Sequence, residues 1–386
     1  MAAAPRSFSS SAFTSSLTTG TGGYSIRKVK LPLPCKSGDR ASESERAEKR
    51  LPNPFWRYKA DRECPQYFTS AFGTKIMGMH HNDSGIVLMI DVRTRSVVLG
   101  PRTNYPAFPI YFPVGVDKLF ALDSACLELC RLPLVRPDSD SDSGSSSTDE
   151  TESDSDSESD SYGKWLWRQL QVPPFCTRDV ASYAVHSDGQ SQSILVSVKG
   201  EETVATFTFD MGKFVWECLG EWTLPFTGPG HFDRKLKALV GLSKDPEAFG
   251  YLYACNVPSA GDRPCPAPAW KCSKEKVFSE LPADRHVSAN LIYMENRRKY
   301  CLVECVWVEE DNACQVKIKE DKADQVLLEK SEADQRGRHM YRLMTFSLKY
   351  DKKDDLRVKC GRVRYYEVPN TVSAESIRED PVAFWL

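Results

Sequence analysis

Residues 203–220, TVATFTFDMGKFVWECLG, decide the fold. A β-branched and aromatic run ends at Asp210, three residues pass, and a second apolar run follows. An apolar run of this length, rich in Val, Thr and Phe and closed by an acid, reads as a strand rather than a helix. Asp suits the strand end because its carboxylate bonds its own backbone and tolerates a tight turn. The stretch predicts a β-hairpin.

The same design recurs along the chain. GIVLMID-VRTRSVVLGP (85–101) is one copy, with Asp91 as its turn acid, and KLFALD-SACLELCRL (118–132) is another. GYLYACN (250–256), followed after a longer loop by Trp270, is a degenerate fourth. Further short runs include TKIMGMHH, SYAVHS, SILVSV, LKALVGL, ANLIYM, KYCLVECVWV, MYRLMTFSLKY and RVRYYEV. Helical periodicity is nearly absent, and the charged segment 317–339 reads as a polar excursion between strands. The fold class is therefore all-β. Repetition of a four-stranded unit predicts a β-propeller, in which each sheet buries its faces against the next. The 277 residues from Tyr67 to Pro369 outside the insert described below give about six blades at roughly 40 to 50 residues each. A strand at 24–31 is expected to close the ring together with RVRYYEV, removing an exposed edge. The expected organisation is a disordered tail at 1–23, a propeller over 24–369 and a C-terminal tail at 370–386. A charged linker at 35–50 falls within the propeller.

The exception to this pattern is PDSDSDSGSSSTDETESDSDSESDSY (137–162), with ten acids, eleven serines and no base. Such a run cannot bury enough apolar surface to fold, so it reads as a disordered acidic insert looping out between blades. Removing its ten acids from a chain of net charge −2 leaves a mildly basic body of +8. Ser139, Ser146, Ser147, Thr151, Ser153, Ser155 and Ser157 each have an acid three residues later. An acidophilic Ser/Thr kinase of the casein-kinase type recognises that spacing through a basic groove. Each phosphate would add about −1.5 to −2 charges.

Thirteen cysteines, odd in number and set inside apolar runs, read as reduced packing residues rather than a disulfide framework. Cys126 with Cys130, and Cys301 with Cys305, share a four-residue spacing that places each pair on one strand face and is no zinc motif. No phosphate-binding loop, nucleophile elbow or HExxH helix occurs. The six histidines are His80, His81, His186, His231, His286 and His339. Neighbours such as His80 and His81 point to opposite faces of a strand and chelate poorly. No catalytic residue, cofactor or metal site is assigned. Trp165, Trp167, Trp216, Trp222 and Trp270 either pack between blades or line a ligand face. No apolar run is long enough to span a membrane. The Ser/Thr/Ala-rich N-terminus has no apolar secretion core, so the cytoplasm or nucleus is expected, and a plastid transit peptide is the alternative.

The strings SIRKVKL, TKIMGM, GIVLMIDVRTRSVVLGP, SYAVHSDGQSQSILVSV, FVWECLGEWTLPFTGPGHFD, GYLYACNV and LRVKCGRVRYYEV together resemble the plant family called domain of unknown function 1668. That family is abundant in cereals and similar to kelch-type propellers. The resemblance covers Tyr24 to Val368 and is most specific from Ser182 to Val257. It implies a propeller and brings no activity, catalytic residue or agreed partner. An F-box helix is missing here, since LPNPFWRYK is broken by Pro52 and Pro54. The expected function is a protein-interaction module without evident catalysis, whose partners are proteins rather than nucleic acid or membranes. The alternative is a propeller hydrolase or oxidase whose site is assembled from several blades.

Overall fold

A computed structural model describes residues 12–16, 24–31, 49–58, 67–79, 87–101, 109–123, 126–133, 165–188, 191–201, 203–243, 245–258, 265–309, 337–369, 372 and 380–386. Among them the regular elements are strands and short 3-10 turns, with no α-helix. The all-β expectation holds. The chain divides into two compact units, one made of Met1–Cys64 with Asp179–Leu386 and the other of Pro65–Arg178.

The larger unit opens with β1 (Ala12–Ser16), β2 (Tyr24–Val29), the short β3 (Lys49–Arg50) and β4 (Pro54–Tyr58). The smaller unit holds two four-stranded antiparallel meanders. Strands β5 (Tyr67–Ala71), β6 (Lys75–Met79), β7 (Leu88–Asp91) and β8 (Val97–Leu99) form the first in chain order. Strands β9 (Ile110–Val114), β10 (Lys118–Asp123), β11 (Cys126–Arg131) and β12 (Trp167–Gln169) form the second. Its core is apolar throughout, with Met77, Met79, Met89, Leu119 and Cys130 fully buried. Unbranched Met fills the irregular space between short strands.

In the larger unit, β13 (Val180–Ser187), β14 (Gln192–Lys199), β15 (Val204–Asp210) and β16 (Val215–Gly220) form one meander. A second meander contains β17 (Gly228–Asp233), β18 (Ala238–Leu242), β19 (Leu252–Asn256) and β20 (Trp270–Cys272). The two are joined through a parallel pairing of their first strands, with Ser182 opposite Gly228 and Val185 opposite His231. The third consists of β21 (Asp284–Met294), β22 (Lys299–Glu309), β23 (Gly337–Tyr350) and β24 (Leu356–Glu367), with β3 added in parallel to β24. In the fourth sheet the order is β25 (Ala383–Trp385), β1, β2, β4, so strands from both ends of the chain share one sheet. Phe226 fixes the second meander: a Cβ added at Gly230 or Gly241 would come within 2.4 or 2.2 Å of its side chain. The recurring four-stranded meander is the unit from which propellers are built.

Several expectations are corrected. Residues 1–23 and 370–386 read as tails, yet they contribute β1 and β25, because a sheet edge offers backbone partners whatever the side chains. The sheet shared by both ends is completed by β25, whereas RVRYYEV lies in β24 and pairs with β23 and β3. KLFALD-SACLELCRL is the hairpin of the second and third strands of its sheet, where the other copies are third and fourth strands. The acidic insert does not separate two sheets. Its flanks pair with each other, Cys130 opposite Trp167 and Glu128 opposite Gln169, so it joins the last two strands of one sheet. Residues 137–162, with Ser139, Ser146, Ser147, Thr151, Ser153, Ser155 and Ser157, lie outside the described residues, as do most of the 35–50 linker and of 317–339.

Candidate functional site

The predicted turn acids build the rims on which surface groups are displayed. Asp91 Oδ1 accepts from the backbone N–H of Arg93 and Thr94 at 2.9 and 3.1 Å. Asp210 does the same for Gly212 and Lys213 at 2.8 and 3.0 Å. Asp233, not singled out by the sequence, repeats the geometry with Lys235 and Leu236 at 2.9 and 3.1 Å. The residue four positions on turns left-handed each time: Arg95 at φ 61°, Phe214 at φ 57° and Lys237 at φ 52°. Hydrogen bonds to the charged form hold Asp210 below its ordinary value of 3.8, the Lys213 N–H contributing most.

Two of these turns frame a cleft of about 740 Å³ between the first two meanders of the larger unit. Its floor is one pleated face of β14–β16, where Ser193 stands opposite Asp210 and Thr208 opposite both Leu195 and Glu217. Its other wall is Phe232, Arg234 and Lys237 with Val257 and Pro258. His186 meets Phe232 edge-on at 4.5 Å. Burial lowers the His186 pKa from 6.5 despite the opposing charge of Asp188, so the ring is neutral at pH 7. The cleft therefore carries acids on the β14–β16 face and, on the other wall, bases beside apolar groups.

A second polar cluster crosses the third meander. Glu304 on β22 stands opposite Arg342 on β23, which stands opposite Tyr365 on β24. Glu304 is fully buried, and Arg342 Nη1 donates to its Oε2 at 2.8 Å and to the Val277 carbonyl at 2.9 Å. His286 Nδ1 lies 2.9 Å from Glu304 Oε1, and the Ser279 N–H donates to the same carboxylate. A β-bulge between His286 and Ser288 re-aims the histidine towards it. The ring is stacked on Phe278 at 4.0 Å and meets Phe249 edge-on at 4.8 Å.

The other predicted candidates disperse. His231 Nε2 sits 2.8 Å from the Leu291 carbonyl, and His339 meets Trp307 edge-on. His80 and His81 lie outside the described residues. Trp216 is buried, Trp165 and Trp167 pack against the smaller unit's core, and Trp222 donates to the Cys265 carbonyl at 2.8 Å. Trp270 is the exposed one of the five. Cys301 and Cys305 share one apolar cluster, as their spacing predicts, and burial pushes both thiols up to about 12. The described cysteines are free thiols. No helix among the described residues is long and apolar enough to cross a membrane.

A family model described as "Protein of unknown function (DUF1668)" matches residues 16–366. No curated protein was found to match. Among solved structures, the chain is similar to "Kuenenia stuttgartiensis Hydrazine Synthase" at 11% identity and a TM-score of 0.31, covering 81% of this chain and 68% of that one. It is also similar to "KlHsv2 with loop 6CD replaced by a Gly-Ser linker" at 8% identity and a TM-score of 0.40, covering 90% and 93% of the two chains.

Proposed function

The chain belongs to the DUF1668 family of proteins of unknown function, which supplies no activity, and we propose from the geometry that it is a protein-interaction module built on a propeller-type fold. The cleft between the first two meanders carries the reading. Its volume of about 740 Å³ lies in the range of roughly 300 to 1,000 Å³ typical of ligand sites. Opposed walls of Asp210 with Glu217 and of Arg234 with Lys237 suit a short polypeptide segment of mixed charge laid between them. Charge complementarity of this kind sets partner choice and approach rate more than raw affinity. In the same proposal, Ser139, Ser146, Ser147, Thr151, Ser153, Ser155 and Ser157 accept phosphate from an acidophilic kinase, and the protein works in the cytoplasm or nucleus.

A peptide array probed with the intact protein tests the cleft. Mixed-charge sequences should be retained by the wild type and lost by the double variant Glu217→Lys/Lys237→Glu, whose melting temperature should stay close to wild type. Retention of the same peptides by the double variant would overturn the assignment.

A further inference from the structure

The charged row of the third meander does not line the cleft, and fold stability gives no reason for it. Replacing a buried ion pair with well-packed apolar residues is often neutral or stabilising. Here the pair lies between apolar layers, with Leu302 opposite Met344 on one side and Val306 opposite Met340 on the other. An apolar pair would complete that pattern. The ions also satisfy the Val277 carbonyl and the Ser279 N–H, and they orient one histidine.

Glu304 is an acceptor, so His286 Nδ1 must be the donor at 2.9 Å. In the neutral ring this leaves the lone pair on Nε2. Among the described residues the hydrogen bond of this ring is the one at Nδ1, and the side chain keeps 20% exposure. Phe278 and Phe249 hold the ring in place. The charged and titratable groups around it are accounted for. Arg342 is committed to Glu304 and the Val277 carbonyl. Asp284, on the same strand, accepts from Ser279 Oγ at 2.5 Å and Tyr365 Oη at 2.8 Å. Lys276 Nζ lies 5.9 Å from the centre of the Phe249 ring that borders the histidine.

We propose that His286 is a proton-coupled binding site for an oxyanion, the carboxylate or phosphate group of a small ligand. Nε2 takes one proton from solvent as the anion arrives, and its new N–H donates to an anion oxygen. Glu304 stabilises the imidazolium from the Nδ1 side, and Arg342 holds that carboxylate in place. Lys276 adds positive charge at the aromatic border.

Imidazole nitrogen NMR on the intact protein tests this with two probes, acetate and inorganic phosphate, titrated separately at several pH values. The His286 Nε2 signal should move from the acceptor to the protonated position, while His231, held on the Leu291 carbonyl, stays unchanged. Response to acetate alone assigns a carboxylate ligand, and response to phosphate alone assigns a phosphate. His286→Phe, which keeps the Glu304–Arg342 pair, should abolish binding. Glu304→Gln, which removes the negative charge beside the imidazolium, should weaken it. No movement of the His286 signal with either anion, or wild-type binding by His286→Phe, would overturn the proposal.

Discussion

The first meander of the smaller unit and the third of the larger one are both built of four antiparallel strands, but they solve the burial problem differently. Strands β5–β8 run three to five residues, and Met77, Met79 and Met89 fill the core behind them. Strands β21–β24 run eleven to fourteen residues and admit a row of charge between apolar layers. A long strand gives an inward polar side chain partners on both neighbours with apolar cover above and below. A short one does not. The edges differ too. The C-terminal end of β24 is covered by β3 at Tyr366 and Glu367, whereas β8, an edge of its own sheet, exposes Val97, Val98 and Leu99 at 39, 41 and 66%.

The sharpest way to break this comparison is to remove one partner from each core. Glu304→Ala should cost about 3 to 5 kcal/mol, because it strands the Arg342 guanidinium in the interior. Met77→Ala should cost about 2 to 5 kcal/mol through cavity formation alone. Denaturant unfolding measures both, and the distinction lies in rescue. A second apolar change at Arg342 should recover much of the first loss, while no change of charge should recover the second.

Acid should act next, and through the larger unit's histidines. Burial is the leading cause lowering the pKa values of His186, His231 and His339 from 6.5. A depressed folded-state value means that the unfolded chain binds protons first. The stability these rings contribute is therefore complete above about pH 6.5 and is lost as pH falls towards their folded values. Asp91 and Asp210, held below 3.8 in the fold, extend the loss at lower pH. The melting temperature should fall steadily from pH 7 to pH 5, and His231→Gln should make the fall shallower. A flat profile would show that the rings titrate as freely in the fold as outside it.

The smallest effect belongs to the exposed edge. Val98→Lys on β8 should change stability by no more than about 0.5 kcal/mol, yet raise the concentration at which the protein begins to associate, because an apolar edge strand invites pairing. Light scattering reads the second effect. A large loss of stability would mean that Val98 is buried in solution.

Much of the fold was legible because its signals are local. Asp91 and Asp210 end their strands as Asx turns because a carboxylate two residues from the N–H it accepts needs no tertiary help. Phe207 and Phe209 declare their strand by type alone. The Ser-rich AFTSS of β1 and the terminal AFW of β25 were hidden because their pairing depends on the other end of the chain. The insert reads as falling between sheets because nothing local says that Trp167 returns to Cys130. The row was least legible of all. His286 and Arg342 stand 18 and 38 residues from Glu304, and the bulge that turns His286 inward leaves no mark in composition. Alternation shows only that Leu302, Glu304 and Val306 share a face, which would ordinarily count against a buried position.

The triple apolar variant His286→Phe/Glu304→Met/Arg342→Met tests most directly whether that row is kept for binding rather than for folding. Its thermal unfolding, measured beside the wild type, should show a single transition at an equal or higher temperature, with the oxyanion response gone. A variant that fails to fold, or melts far below wild type while Glu304→Ala alone is tolerated, would contradict the account.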